Sequence, residues 1–194
     1  VKQIFIDVET TGLDPKENCV WQIAFIIEQD GAELCRHNLK TAPIPGSNYN
    51  VDAMKKGNIT PDEIRSFPDS YKTLRNIKEI FSDYIDPFKK PKNQTDDKMF
   101  FIAYNAEFDM KFLRSFFERQ GDKYLGSWFW FPYIDVMTLT MQEIKYKRHL
   151  MPNFQQDTVA KALGIDVDES RLHDAMYDVE LCKRVYETVT LRPE

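Results

Sequence analysis

Between Trp21 and Glu28 the chain is apolar at every position except Gln22 and the closing Glu28, so both faces of a strand built there would be greasy. Such a strand has to lie inside a sheet and be covered above and below. Just upstream, Lys2–Glu9 alternates, with Ile4, Ile6 and Val8 on one face and Phe5, Asp7 and Glu9 on the other. That period of two marks a strand. Asp30–Gly31 is a tight hairpin signal, and Glu33–Leu39 is weaker and more polar, as suits an edge. The chain therefore opens as an antiparallel meander, with Gly12–Asn18 looping between its first two strands.

After residue 57 the grammar changes. Thr60 stands before Pro61, with Glu63 completing a capping-box spacing, which predicts a helix start. The spacing of Leu74, Ile77, Phe81 and Ile85 predicts a helix over Ser70–Asp86, and Pro87–Lys98 reads as an exposed insertion loop. A short strand over Met99–Tyr104 leads into a helix over Ala106–Arg119. A further strand is expected over Trp130–Asp135, then helices near Val136–Lys147, Gln156–Leu163 and Leu172–Val189. Strands first and alternation afterwards predict an α/β fold, a mixed sheet with helices on its faces. At 194 residues the chain is expected to form a single domain spanning 1–194.

Composition narrows the function classes. With 26 basic against 31 acidic side chains the net charge is −5, which argues against a non-specific nucleic-acid coat. It leaves room for an enzyme that handles a nucleic-acid end through a metal, where the ion supplies the positive charge. No apolar run approaches the ~18 residues of a membrane span, and the opening residues lack the charged-then-apolar pattern of a secretory leader. The start at Val1 leaves room for flanking sequence. Three cysteines, Cys19, Cys35 and Cys182, with no CxxC spacing point to a reducing, cytoplasmic setting and no zinc knuckle.

The informative residues are carboxylates where the periodicity demands apolar side chains. Asp7 and Glu9 project from one side of a strand that reads as buried. Asp109 shares a helical stripe with Phe112, Leu113 and Phe116, and Asp178 shares one with Ala175, Cys182 and Val185. A lone buried carboxylate costs several kcal/mol even after relaxation, so these four need partners. Neither the strand nor the stripes place a base beside them, which weighs against structural ion pairs. Convergence on hard divalent cations accounts for all four. His173 lies five residues before Asp178, so it need not share that helical face; from a loop or first turn it would reach the same site and serve as a water-activating base.

These residues also spell motifs. The stretch Phe5-Ile-Asp7-Val-Glu9-Thr-Thr-Gly12-Leu13 resembles the first motif of the DEDDh 3′–5′ exonucleases. Asn105-Ala-Glu-Phe108-Asp109 resembles the second, and His173-Asp-Ala-Met-Tyr-Asp178 fits the third. Gly57–Thr60, Ile134–Asp135, Leu163–Ile165 and Arg171–Leu172 extend the likeness over nearly the whole chain, most closely to the proofreading epsilon-type exonuclease domain. The resemblance implies an RNase H-like fold, a five-stranded mixed β-sheet flanked by helices. It implies two Mg²⁺ or Mn²⁺ ions: Asp7, Glu9 and Asp178 around one, Asp7 bridging to the other, Asp109 contributing directly or through water, and His173 deprotonating the attacking water. Thr10, Thr11, Gly12 and Leu13, with Asn105 and Phe108, would hold the terminal nucleotide, backbone amides of the loop contacting it and Leu13 wedging against its base.

The resemblance implies a DNA 3′ end as substrate, preferably single-stranded or mismatched, attacked by a free enzyme or by one associated with a DNA polymerase. An RNA-trimming enzyme of the same chemistry and a catalytically silent nucleic-acid-binding module stay open as alternatives, although no motif residue is lost. Departures are few. Tyr104 stands where many proofreading members have His, and Pro87–Lys98 looks like an addition to the family core. Asp135 and Asp174 read as helix N-caps. Trp128–Phe131 is either core or a base-stacking run, and Lys145–His149 either a phosphate track or a solvated helix end, as are Lys89, Lys90 and Lys92.

Overall fold

The computed structural model describes residues 1–87 and 98–190. Strands β1 (Lys2–Thr10), β2 (Val20–Gln29) and β3 (Ala32–Lys40) form the expected antiparallel meander. Asp30 and Gly31 both take the left-handed φ that a two-residue hairpin requires. Helices α1 (Val51–Lys56), α2 (Pro61–Arg65) and α3 (Ser70–Ser82) follow, then β4 (Met99–Ala103), α4 (Ala106–Glu118), β5 (Phe129–Asp135), α5 (Val136–Ile144), α6 (Gln156–Ala162) and α7 (Ala175–Thr190). The sheet order is β3-β2-β1-β4-β5, with β4 and β5 parallel to β1.

The alternation in β1 sorts the core into two layers. Ile4, Ile6 and Val8 pack with Ile23, Phe25 and Ile27 of β2 against α3 and α4. Phe5 on the opposite face joins Ala24, Ile26 and Ile102 beneath α5, α6 and α7. Trp21–Glu28 is buried along its whole length, as a strand covered on both faces must be.

Several boundaries differ from the periodicity. The helix α3 ends at Ser82 instead of Asp86, with Asp83 at its C-cap donating to the Ile80 and Phe81 carbonyls; Pro87 disfavours helical backbone at Asp86. Helix α5 stops at Ile144, and Lys145–Leu150 continues as a solvated 3₁₀ segment. Helix α7 starts at Ala175 instead of Leu172 because His173 takes a left-handed φ of 67° that no helix can absorb. Helix α1 is too short for any period to reveal; Asn50 starts it by accepting the Asp52 and Ala53 amides. The capping box of Thr60 and Glu63 is present. Trp128 and Phe129 are core, whereas Phe131 is 87% exposed. Residues 88–97 of the expected insertion loop, with Lys89, Lys90 and Lys92, lie outside the described residues.

Two ion pairs clamp α7 to the sheet, an exposed one between Arg36 of β3 and Glu180 at 2.6 Å and a shielded one. The Lys183 ammonium meets the Glu28 carboxylate, and both side chains are largely shielded from water. Removing one partner of a shielded pair strands the other charge. Lys183→Ala, which leaves the 5%-exposed Glu28 carboxylate without its cation, is therefore expected to cost about 3 kcal/mol in urea denaturation. A loss below ~1 kcal/mol would mean the pair is worth no more than an exposed one.

Candidate active site

The parallel strands β1, β4 and β5 end on the same edge of the sheet, and the turns leaving that edge start α4 and α5. Asn105 enters α4 with a left-handed φ of 62°. Its N–H donates to Oδ1 of Asp135 at 3.1 Å, and the Met137 N–H donates to the same oxygen at 3.0 Å. One carboxylate thus pins the starts of two helices, the capping role read from the sequence. One turn into α4, Asp109 is 3% exposed and its Oδ1 accepts the Val8 N–H at 3.1 Å. That bond ties α4 to the stretch of β1 between Asp7 and Glu9.

The third element is the start of α7. Asp174 caps it, accepting the Met176 and Tyr177 amides at 3.1 Å each. Asp178 accepts the His173 N–H at 3.1 Å, and the Gln156 side chain holds the Asp178 carbonyl at 2.7 Å. The left-handed backbone at His173 carries an unfavourable energy of order 1 kcal/mol, and such strain clusters at functional sites. It places the imidazole outside the helix, so that ligand atoms of Glu9, His173 and Asp178 all lie within 4.8 Å of one another. Asp7 joins His173 and Asp178 along a cavity of about 420 Å³, walled by Tyr104 and Phe154. The Tyr104 hydroxyl donates to the Phe154 carbonyl at 2.8 Å, a bond that fixes this wall.

The electrostatics are one-sided. Burial, reinforced by the neighbouring carboxylates, pushes Asp7 well above the usual carboxylate range. Burial does the same to Asp109. Glu9 is pushed up to about 8 by burial and then by Asp178, and Asp178 to about 7 by burial. None of the four forms an ion pair among the described residues. The nearest compensating cation is Lys56 of α1, which lines the cavity and draws Glu9 slightly back down. Burial, followed by this ammonium, holds the His173 imidazole below its ordinary value. Sequence reading missed Lys56 because α1 has no legible period. Clustered oxygen donors of one sign, in want of positive charge, fit hard divalent cations.

The flanking loop is built for shape. A Cβ on Gly12 would fall 2.3–2.6 Å from the Asn18 side chain, so only glycine lets Asn18 close the loop. The Thr10 hydroxyl donates to the Gly12 carbonyl at 2.6 Å. The backbone N–H of Thr11 was expected to face a substrate; instead it donates to the Cys19 carbonyl at 2.8 Å, while its hydroxyl bonds Asn48. The reason is loop closure: Thr11 is fully buried. Leu13 stands 79% exposed at the tip. Phe108 lies partly open beside Phe112, with ring centroids 4.8 Å apart, and Asn105 is exposed.

A carboxylate whose pKa is higher folded than unfolded binds more protons in the folded state, so stability falls as pH rises between the two values. For Asp178 and Glu9 that window runs from about 4 to the values near 7 and 8. The metal-free protein is expected to melt at progressively lower temperature across this window, and saturating Mn²⁺ to flatten the decline. Asp178→Asn should melt above the wild type at its alkaline end without metal. Thermal melts over a pH series check this; an unchanged slope in the variant would contradict it.

Comparison with known proteins agrees with this geometry. The family model described as Exonuclease, of the RNase T type, matches residues 4–186. A ribonuclease T of Wigglesworthia glossinidia brevipalpis is 31% identical over 183 residues, covering 90% of this chain and 78% of that protein. A DNA polymerase III subunit epsilon of Pasteurella multocida is 24% identical, covering 97% and 68% respectively. Among solved structures, E. coli exonuclease I in complex with a dT13 oligonucleotide superposes with a TM-score of 0.76 at 20% identity over 98% of this chain. This chain spans 41% of that longer one, and the likeness shows the shared RNase H-like fold. With its three acidic motifs converging at the end of a five-stranded mixed sheet, the chain belongs to the DEDDh 3′–5′ exonuclease family.

Proposed function

We propose that this chain acts as a single exonuclease domain, hydrolysing the terminal phosphodiester at the 3′ end of DNA and releasing nucleoside 5′-monophosphates. The observation that carries the reading is the convergence of four acids from three separate elements. Asp7 and Asp178 line one cavity with His173, Glu9 lies within ligand distance of Asp178 and His173, and Asp109 adjoins Asp7 through the Val8 N–H, none of the four with an ion-pair partner among the described residues. Asp7, Glu9 and Asp178 would hold one divalent ion, and Asp7 with Asp109 a second, with Mg²⁺ or Mn²⁺ the ions suited to such donors. Bound there, the ions supply Lewis-acid stabilisation of charge on the attacking and departing oxygens.

The protein's own groups do the rest. The His173 imidazole, neutral near pH 7, accepts a proton from the attacking water. The water oxygen bonds to phosphorus, the bond from phosphorus to the 3′ oxygen breaks, and that oxygen takes a proton from solvent water, so the shortened strand leaves with a 3′ hydroxyl. Leu13 wedges against the terminal base, and Phe108 and Asn105 line its other side, next to the turn shaped by Thr10 and Gly12. Three free cysteines support a reducing, cytoplasmic setting. The 31% identity to a ribonuclease T favours one second reading, the same reaction on an RNA 3′ end. Parallel digestion of matched DNA and RNA oligomers separates the two.

His173→Ala is expected to lower turnover ~10²–10⁴-fold, the range for a positioned general base, while keeping its metal affinity within a few-fold. Kinetics together with titration calorimetry check this. Loss of a bound metal in the variant would make the imidazole a ligand instead.

Asp109 is buried and Asp7, Glu9 and Asp178 are half-buried, which hinders the approach of a phosphate held in duplex geometry, so the last nucleotides are expected to leave the stack. Unstacking costs a few kcal/mol when paired and much less when mismatched or single-stranded. A strand labelled at either end should release mononucleotide from its 3′ end, fastest alone, next with a terminal mismatch, slowest flush-paired. Equal rates on all three forms would remove the unstacking step, and cutting within a circular single strand would remove the exonuclease reading.

A further inference from the structure

Resting on this reading, we infer that a cationic groove on the β2–β3 side of the site tracks the backbone phosphates of the substrate strand 5′ to the scissile bond. The register of the sheet places it there. Glu9 pairs with Gln22 of β2, and Gln22 with Lys40 of β3, so the three share one face in a row running from the acids to the sheet edge. Two interstrand spacings set Lys40 about 10 Å from Glu9, backbone to backbone.

Over this row lies a second cavity of about 550 Å³, which shares Lys56 and His173 with the first and is lined by Trp21, Gln22, Lys40 and Arg171. Its acids are already engaged. Glu63 closes the capping box on Thr60, and Asp174 caps α7. Arg171 stacks over the Tyr177 ring and lies 3.6 Å from Glu180. Lys40 lies over the Phe67 ring at 5.1 Å and Lys56 acts on Glu9 across the site, and neither forms an ion pair among the described residues, so a chain of net charge −5 presents two ammonium groups without a direct carboxylate partner beside its acidic site. The Trp21 indole N–H, in a ring lining the same cavity, is buried without an acceptor among the described residues.

The geometry also supplies a direction. The acids of β1 sit on the middle strand. Asn105 and Phe108, assigned to the terminal nucleotide, lie on the β4 side, and the groove lies on the opposite, β2–β3 side. A strand crossing β1 with its 3′ end towards β4 brings its 5′ continuation over Lys56 and Lys40.

The test is the salt dependence of kcat/KM for mononucleotide release with Mn²⁺, on the wild type, Lys40→Gln, Lys40→Arg and the off-groove variant Arg75→Gln. Each phosphate contact on a single strand contributes ~0.7 to the log–log salt slope. Lys40→Gln should make the slope shallower by about that amount and lower kcat/KM at low salt about five-fold on a strand of ~12 nucleotides. Most of the loss should sit in KM, shrink as the strand is shortened to a dinucleotide, and be restored by Lys40→Arg; Arg75→Gln should keep the wild-type slope. An active wild type with an unchanged slope in Lys40→Gln, or a loss independent of strand length, overturns the groove. A wild type that releases no mononucleotide overturns the nuclease reading itself, and the groove with it.

Discussion

Repulsion among the buried carboxylates is the constraint on which the rest of the structure depends. Asp109 is buried and Asp7, Glu9 and Asp178 are half-buried beside it, so all four ionised at once would be strongly destabilising in a domain whose net stability is small. The fold meets this by raising their pKa values until protons are retained near neutrality. The site is thus poised: protons occupy it weakly, and a hard cation that displaces them gains the attraction of every carboxylate at once. On the proposed reading stability is given up locally in favour of ion binding, while the Glu28–Lys183 pair helps keep the helix bearing Asp178 in register with the sheet.

The architecture explains why the acids come from distant parts of the chain. Parallel strands deliver their ends to a common edge, and helices leaving that edge start with unpaired amides. Those amides, with a left-handed turn at Asn105 and another at His173, fix the side chains through backbone bonds instead of through salt bridges. The Val8–Asp109 bond is the sharpest case, since it fixes a buried carboxylate with a main-chain donor and not with a base.

Much of this was legible beforehand. The alternation in Lys2–Glu9 and the doubly apolar Trp21–Glu28 run specify the middle of the sheet, because no other arrangement buries both. Misplaced acids on three apolar stripes point to the site, because carboxylates shielded without a base must either keep protons or share a cation. Hidden from view were features that depend on short-range geometry. A six-residue helix brings Lys56 beside His173, yet has too few turns for a period. Thr11 spends its amide within the loop, a consequence of how Asn18 folds back on Gly12. Both are closures between segments, and a linear pattern does not record closures.

The bond joining His173 to Asp178 is given by the main chain, so nearly any residue at position 173 could make it. The left-handed backbone there would be more comfortable still with glycine. Nothing in the packing asks for a ring at this point. On the proposed mechanism an imidazole at 173 answers to chemistry and not to packing, and drift at this one position would silence the protein while leaving its shape largely unmarked.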